Sequence, residues 1–388
     1  MTSAVLNQSI IKTWNDEWRC AAYRSASQFF LRNPKGKSKH LYLLDQVLKG
    51  SEISIWAHQP NILASCGVVA PAFQLYSQYK ETKSIPLFLV IDYDEGGDQR
   101  FRSPCLPSLP NTNGSRYFLN GAVRKSDRKK LANTLFIADE TIRSWEVKYQ
   151  QNMLFWRGQY HNKEPSKKRV SAFSMFYGRR ITEASTLQIL NDLSKVGITD
   201  ILPVFASDIW SSVISSAVLF LYDFVRQGIS EGCELLWWIC PSCLERKQCF
   251  INYPGTVVAN CLSCSTGISK SITNIQAPEF IPQHQLCNMI DVMFANANKY
   301  FMYHRSKTHF EKTCSTVEST GFRNLGSRCY TELERFNPPL HTFNNKHEAD
   351  WNTGKYSFGY TLDLFFNQKD LIIENIKSGA STNCISGR

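Results

Sequence analysis

Residues 53–98 read ISIWAHQPN, then ILASCGVVAPAFQLYSQYKETKS, then IPLFLVIDYDEGGD, and their reading decides the fold. The stretch parses as strand, tight loop, helix, strand and acidic loop. Ile53 to Trp56 and Pro86 to Ile91 are short apolar runs bounded by turn residues, the pattern of strands buried on both faces of a parallel sheet. The whole is a βαβ unit. In such units ligands gather at the carboxyl ends of the strands. The first strand leads into His58, Gln59 and Asn61, and the second into Asp92 and Asp94, so two sets of polar groups are expected to converge on one crevice.

Outward from this unit the same grammar repeats. Val5 to Phe30 has apolar positions spaced by three and four, as in a helix, and a basic loop from Arg32 to His40 separates it from a shorter helical segment ending at Leu48. Gln99 to Gly121 is dense in Pro, Asn, Gly and Ser. A loop of that length in a compact domain commonly covers a site, so it reads as a lid or as an ordinary surface loop, with Arg100, Arg102 and Arg116 as candidate anion contacts. Ser126 to Tyr160 fits two amphipathic helices whose aromatic residues Phe136, Trp145, Tyr149, Phe155 and Trp156 pack in a core. A further helix is expected from Thr182 to Val196 with Ser185 as its N-cap, ended by Gly197. Ile198 to Trp210 then reads as a third strand with Asp208 at its carboxyl end, followed by a helix from Ser211 to Gln227. Strand, acidic end and helix in repetition predict an α/β fold with several parallel strands. Near the end of the chain, Tyr356 to Phe366 is strand-like.

Composition bounds the function. A chain of 388 residues holds two or three domains at ~150 residues each. Its 43% hydrophobic and 13% aromatic content is that of a folded protein. The excess of 44 Lys+Arg over 33 Asp+Glu, a net charge of +11, favours a polyanionic partner such as a nucleotide, a phosphorylated substrate or nucleic acid. The N-terminus turns polar within a few residues, unlike a signal peptide. The longest apolar stretch, Ile209 to Val225, is interrupted by serines and Asp223, which excludes a confident membrane span. With 13 cysteines and no stretch that looks like a signal peptide, a reducing, cytoplasmic compartment is expected, where thiols bind metal or fill cores.

The sharpest motif is a pair of knuckles. CPSC at Cys240 and Cys243 is followed, after residues 244–260, by CLSC at Cys261 and Cys264. Each turn directs two thiolates at one centre, and four thiolates close a tetrahedral zinc site, leaving no position for a substrate water. The expected role of this zinc is structural. The intervening segment alternates apolar residues about a Pro254-Gly255 turn, the β-hairpin of a zinc ribbon. Cys249 falls outside the ligand spacing.

His58-Gln59-Pro60-Asn61 resembles a divergent form of the HIGH signature of class I aminoacyl-tRNA synthetases. The same segment, with Gln59-Pro60, Gly67 to Pro71 and the strand ending at Asp92 and Asp94, is similar to the cysteine-adding enzymes of bacillithiol synthesis, which share that nucleotide-binding fold. The resemblance covers residues 50–100. It implies a Rossmann-like parallel-sheet core, ATP as cofactor, and adenylate formation or a related ligation on an amino-acid-like substrate. Under it His58 and Asn61 contact the nucleotide at a helix N-terminus, Gln59 and Gly67 line its site, Asp92 and Asp94 hold an ammonium group, and Asp208 completes the pocket. The second synthetase signature, KMSKS, has its nearest match in Ile268-Ser269-Lys270-Ser271, which would offer Lys270 to the ATP phosphates. In class I synthetases an inserted zinc ribbon helps contact tRNA or shape the active site. No anticodon-recognising helical region is evident, so a stand-alone relative is expected.

Two functional readings follow from these features. One is a nucleotide-linked ligase: an N-terminal helical segment (1–50), a Rossmann-like core (51–232) with a helical insertion near 126–170, a zinc ribbon (233–275) and a mixed C-terminal region (276–388) completing the core. The other is a non-catalytic zinc-ribbon protein that binds RNA or DNA through its basic surface. The sequence sets no oligomeric state.

Overall fold

A computed structural model describes residues 3–33, 37–60, 82–97, 121–160, 173–195, 197–212, 235–252, 254–282 and 300–302, with shorter pieces at 62, 72, 75–76, 79–80, 105–106, 117–119, 214 and 226. The chain divides into two compact units. The first comprises Met1–His58, Leu75–Tyr93 and Asp200–Asn337, and the second Gln59–Gln74, Asp94–Thr199 and Pro338–Arg388.

The first unit contains a parallel sheet. Strand β1 (Ile53–His58) lies between β2 (Ile85–Val90) and β11 (Tyr300–Met302), and β5 (Leu202–Phe205) adds to the far side of β2, giving the order β11-β1-β2-β5 with every pairing parallel. Every residue of IPLFLV is buried, as an apolar run without alternation requires of a strand covered on both faces. The Trp56 and Phe88 rings stack at 4.1 Å on adjacent strands. Helix α1 (Ser3–Arg32) covers the sheet at β5, where Phe29 meets Phe205, and α2 (Lys37–Leu48) is tied to it by the Arg19 guanidinium, which donates to the carbonyls of Val47 and Ser51. Both helices fall where helical spacing predicts them, each longer by a few residues. The region is α/β as expected.

The same unit carries an antiparallel sheet in the order β10-β6-β7-β8-β9, built from β6 (Leu236–Ile239), β7 (Arg246–Asn252), β8 (Thr256–Cys261), β9 (Thr266–Ser271) and β10 (Phe280–Pro282). The β7–β8 hairpin turns at Pro254-Gly255, where Gly255 takes φ +124° and donates its N–H to the Asn252 carbonyl. Contacts to the segments that follow β2 and β5 join this sheet to the parallel one. The Trp210 indole donates to the Phe280 carbonyl at 2.8 Å, and the Arg246 guanidinium to the Tyr93 carbonyl at 3.3 Å.

The second unit has a small hairpin, β3 (Cys105–Leu106) with β4 (Tyr117–Phe118), and helices α3 (Asp139–Tyr160) and α4 (Ile181–Lys195). Its core gathers Trp145, Tyr149, Phe173, Phe176, Ile142 and Ile181. Residues 126–160 contain one α-helix, Asp139–Tyr160, rather than two, because the first part is spent on 3₁₀ turns at Lys125–Asp127 and Ala132–Thr134. Trp145 and Tyr149 are core residues, whereas Phe136 is exposed. Helix α4 starts at Ile181, ahead of the expected cap, and Ser185 is buried in its interior. The start is fixed from outside the segment: Ile181 donates its N–H to the Leu135 carbonyl, and Arg180 bridges to Phe136. The strand-like 356–366 and most of 99–121 lie outside the described residues.

Candidate functional site

The carboxyl edge of the parallel sheet is assembled by register. His58 is the last residue of β1 and pairs with Val90, the last of β2, and its carbonyl accepts the Ile91 N–H at 2.9 Å. Two residues on, Asp92 is 2% exposed. Its Oδ1 accepts the backbone N–H of Ser207 at 2.9 Å and its Oδ2 the Ser207 hydroxyl at 2.6 Å. Ser207 lies in the first turn of a helix that begins at Ala206, directly after β5. The amides of a first helical turn have no partner within the helix, and the dipole there is positive, so a carboxylate is the natural acceptor. The Tyr93 hydroxyl donates to the Ala206 carbonyl, fastening the same two strand ends.

The strand expected across Ile198 to Trp210 is therefore shorter than the apolar run. Only Leu202–Phe205 is extended, and Asp208 sits in the helix. Its Oδ2 accepts the Ser25 hydroxyl at 2.5 Å, and Ser25 Oγ in turn accepts the Phe205 N–H at 3.0 Å. Asp208 thus links α1 to β5. The sheet edge brings His58, Asp92 and the Ser207 turn together, with Asp208 turned toward α1. His58 itself is half-buried.

The remaining candidates are distributed differently. Gln59 and Asp94 belong to the second unit, where both are half-buried and the Asp94 carbonyl accepts the Ala132 N–H at 2.8 Å. Asn61 and Gly67 lie outside the described residues. Lys270 is in the interior of β9 opposite Val257, and its Nζ is paired with Glu279 Oε2 at 2.5 Å.

The four knuckle cysteines do come together. Cys240, Cys243, Cys261 and Cys264 offer sulfur atoms all within 4.8 Å of one another. A tetrahedral ion bound at about 2.3 Å sets neighbouring sulfurs ~3.8 Å apart, and Cys243 Sγ lies 3.7 Å from Cys261 Sγ. The quartet fits a zinc site. Each knuckle occupies a hairpin end, the first between β6 and β7 and the second between β8 and β9, and in each the residue after the second cysteine is left-handed, Leu244 at φ +60° and Ser265 at +51°. The turns close through Leu244 N–H to the Cys240 carbonyl at 2.8 Å and Cys264 N–H to the Cys261 carbonyl at 3.2 Å. Cys249 is buried outside the quartet.

The thiols are not equivalent. Burial pushes the Cys240 thiol up, but the Thr266 hydroxyl and the amides of Cys243 and Ser242 outweigh it and hold the group down at about 6. Hydrogen bonding to Cys243, with burial adding to it, drives Cys264 up to about 12, and burial raises Cys243. Without a metal, Cys240 carries the charge and its neighbours Cys243 and Cys264 keep their protons. Glu245 raises the Lys247 ammonium by hydrogen bonding, and the Cys261 sulfur adds to this. Glu245 Oε2 lies 2.6 Å from that ammonium.

No protein-family model and no curated protein matches this chain. Among the described residues, no helix is long and apolar enough to cross a membrane.

Several residues that shape these sites carry no signal in the sequence. Ser207, Ser25 and Tyr93 act across sequence separations of more than a hundred residues. Thr266 was in principle visible, since two residues beyond a knuckle is where a ribbon strand returns to the metal.

Proposed function

We propose that the chain is a nucleotide-linked ligase with a synthetase-like, Rossmann-like core, acting on an amino-acid-like substrate at the carboxyl edge of its parallel sheet. The observation that carries this reading is the all-parallel register, which gathers His58, Asp92 and the helix start at Ser207 at one edge. Open α/β sheets bind ligands there. Adenylate formation attaches a substrate carboxylate to the α-phosphorus of ATP and releases pyrophosphate. His58 would hydrogen-bond a phosphoryl oxygen as negative charge grows on it. Asp92 fixes the Ser207 turn. The negative charge of the same carboxylate would attract a substrate ammonium. The Cys₄ ribbon is read as a structural zinc centre, since a closed thiolate tetrahedron leaves no open coordination position.

The test is a thermal-shift screen of nucleotides and amino acids on the zinc-loaded full chain. A ligand held only by the native state stabilises it by about 2.7 kcal/mol at a hundred times its Kd. ATP should raise the melting temperature, and His58→Ala should remove that rise while leaving zinc content unchanged. The absence of a shift with any nucleotide would sink the proposal.

The charge of +11 supports the second reading, in which a basic surface grips nucleic acid. Against a ribbon-mediated grip, Lys247 and Lys270 are paired with Glu245 and Glu279. Binding that leaves His58→Ala unaffected and weakens steeply with salt would favour this rival.

A further inference from the structure

We propose that Thr266 is a fifth residue of the metal centre, a positioning residue whose hydroxyl donates to the Cys240 sulfur and so secures the metal on the buried side of the ribbon. Cys240 and Cys261 are buried, whereas Cys243 and Cys264 are half-exposed. A thiolate facing solvent is stabilised by water. A buried thiolate has to find its donors in the protein. Buried Cys240 has such a partner, the Thr266 hydroxyl 3.3 Å from its Sγ.

The placement of Thr266 follows from the sheet. It is the first residue of β9 and pairs with Cys261, the last of β8, so the second hairpin hands its side chain across to a cysteine of the first knuckle. One hydroxyl thereby links both knuckles. A metal-bound thiolate has no proton to give, so in the loaded centre Thr266 is the donor. Such outer partners orient metal ligands, and their loss typically costs 10- to 100-fold in metal affinity. The chemistry calls for a soft, tetrahedral divalent ion, zinc above all.

The inference rests on the reading of the quartet as a metal centre, and the experiment separates the two. Zinc stoichiometry and affinity are measured on the full-length chain by competition with a chromogenic chelator, for wild type, Thr266→Val and Thr266→Ser. Uptake of no zinc by the wild type would fail the metal reading itself. Given one zinc per chain, Thr266→Val, which keeps the shape and loses the hydroxyl, should bind about 10- to 100-fold more weakly, and Thr266→Ser should stay within about threefold of wild type. Cobalt substitution supplies a second readout. The thiolate-to-cobalt charge-transfer band should shift in Thr266→Val and hold its position in Thr266→Ser, which a purely packing role would not produce. Wild-type affinity in the valine variant, or equal losses in both variants, would overturn the role of Thr266. A Thr266→Val chain that fails to fold even at saturating zinc while Thr266→Ser folds and binds normally would support it.

Discussion

Replacing Asp92 separates two roles that one carboxylate can play. Its two oxygens accept the N–H and the hydroxyl of Ser207, and the group is 2% exposed. In Asp92→Ala both bonds to a charged acceptor vanish and a first-turn amide loses its cap. Hydrogen bonds to charged groups contribute about 1.5–3 kcal/mol each and a helix N-cap about 1 kcal/mol, and these overlap because the Ser207 N–H enters both counts. A net cost of about 3 kcal/mol is expected for the alanine. Asp92→Asn keeps one acceptor and lets the Ser207 hydroxyl reverse, so about 1 kcal/mol is expected there. At roughly 2–4 °C per kcal/mol for a unit of this size, the melting temperature should fall by about 6–12 °C in the alanine variant. Native-state hydrogen exchange gives the local reading: if opening of this turn becomes about 3 kcal/mol easier, amides of residues 206–210 should exchange on the order of 100-fold faster. Unchanged melting and unchanged protection in Asp92→Ala would refute the argument.

Metal affinity should depend steeply on pH, because every ligand thiol must be deprotonated in the complex. The raised thiols Cys243 and Cys264 each release a proton on binding at neutral pH, so apparent affinity should rise by at least about two log units per pH unit between pH 6 and 8. Cys240, held at about 6, adds a further proton only below that value; a flat profile in a chelator competition series would contradict this. Lys270→Ala should leave any nucleotide-induced thermal shift intact and cost at most about 1 kcal/mol, since the partly exposed pair with Glu279 is its described interaction. Loss of nucleotide response in that variant would restore the KMSKS reading. Arg246→Ala removes a guanidinium 5.0 Å above the Trp237 ring and bonded to the Tyr93 carbonyl, and should cost about 2 kcal/mol, read as faster amide exchange around Tyr93.

What the sequence disclosed and what it hid divide along the range of the interactions. The four-cysteine cluster was legible because ligand spacing is local: CxxC geometry needs only the turn it sits in. The fully buried β2 was legible because IPLFLV is apolar without alternation between polar ends. By contrast, ILPVFA before Ser207 is also an apolar run, and periodicity cannot distinguish a short buried strand from the start of a buried helix. The choice is made by Asp92, more than a hundred residues away, which caps the helix at Ser207. Ser185 was a plausible N-cap by residue type, yet Ile181 begins the helix because its N–H is bound to Leu135. The site candidates share this limit. A sequence places His58 and Asp92 at strand ends, but only the register tells whether their carboxyl ends coincide, and only the tertiary fold tells that Asp92 already serves Ser207.

The ribbon meets the carboxyl edge of the sheet, and this would give a metal held by the quartet a bearing on the proposed function. Asp92 and Tyr93 follow β2, and the helix that begins at Ala206 follows β5, so these residues form the carboxyl edge next to His58. The ribbon grips that edge twice, through Arg246 on the Tyr93 carbonyl and through Phe280, which receives the Trp210 indole. Strand β7, which supplies Arg246, begins right after the first knuckle, and β10, which supplies Phe280, pairs with β6, whose last residue precedes Cys240. One contact therefore issues from a strand that leaves the first knuckle, and the other from the neighbour of the strand that enters it. Four thiols that no longer share an ion would release the β6–β7 turn, and with it the anchor points at residues 93 and 210. A centre proposed to be structural would in this way govern the rigidity of the edge where the chemistry is proposed to occur.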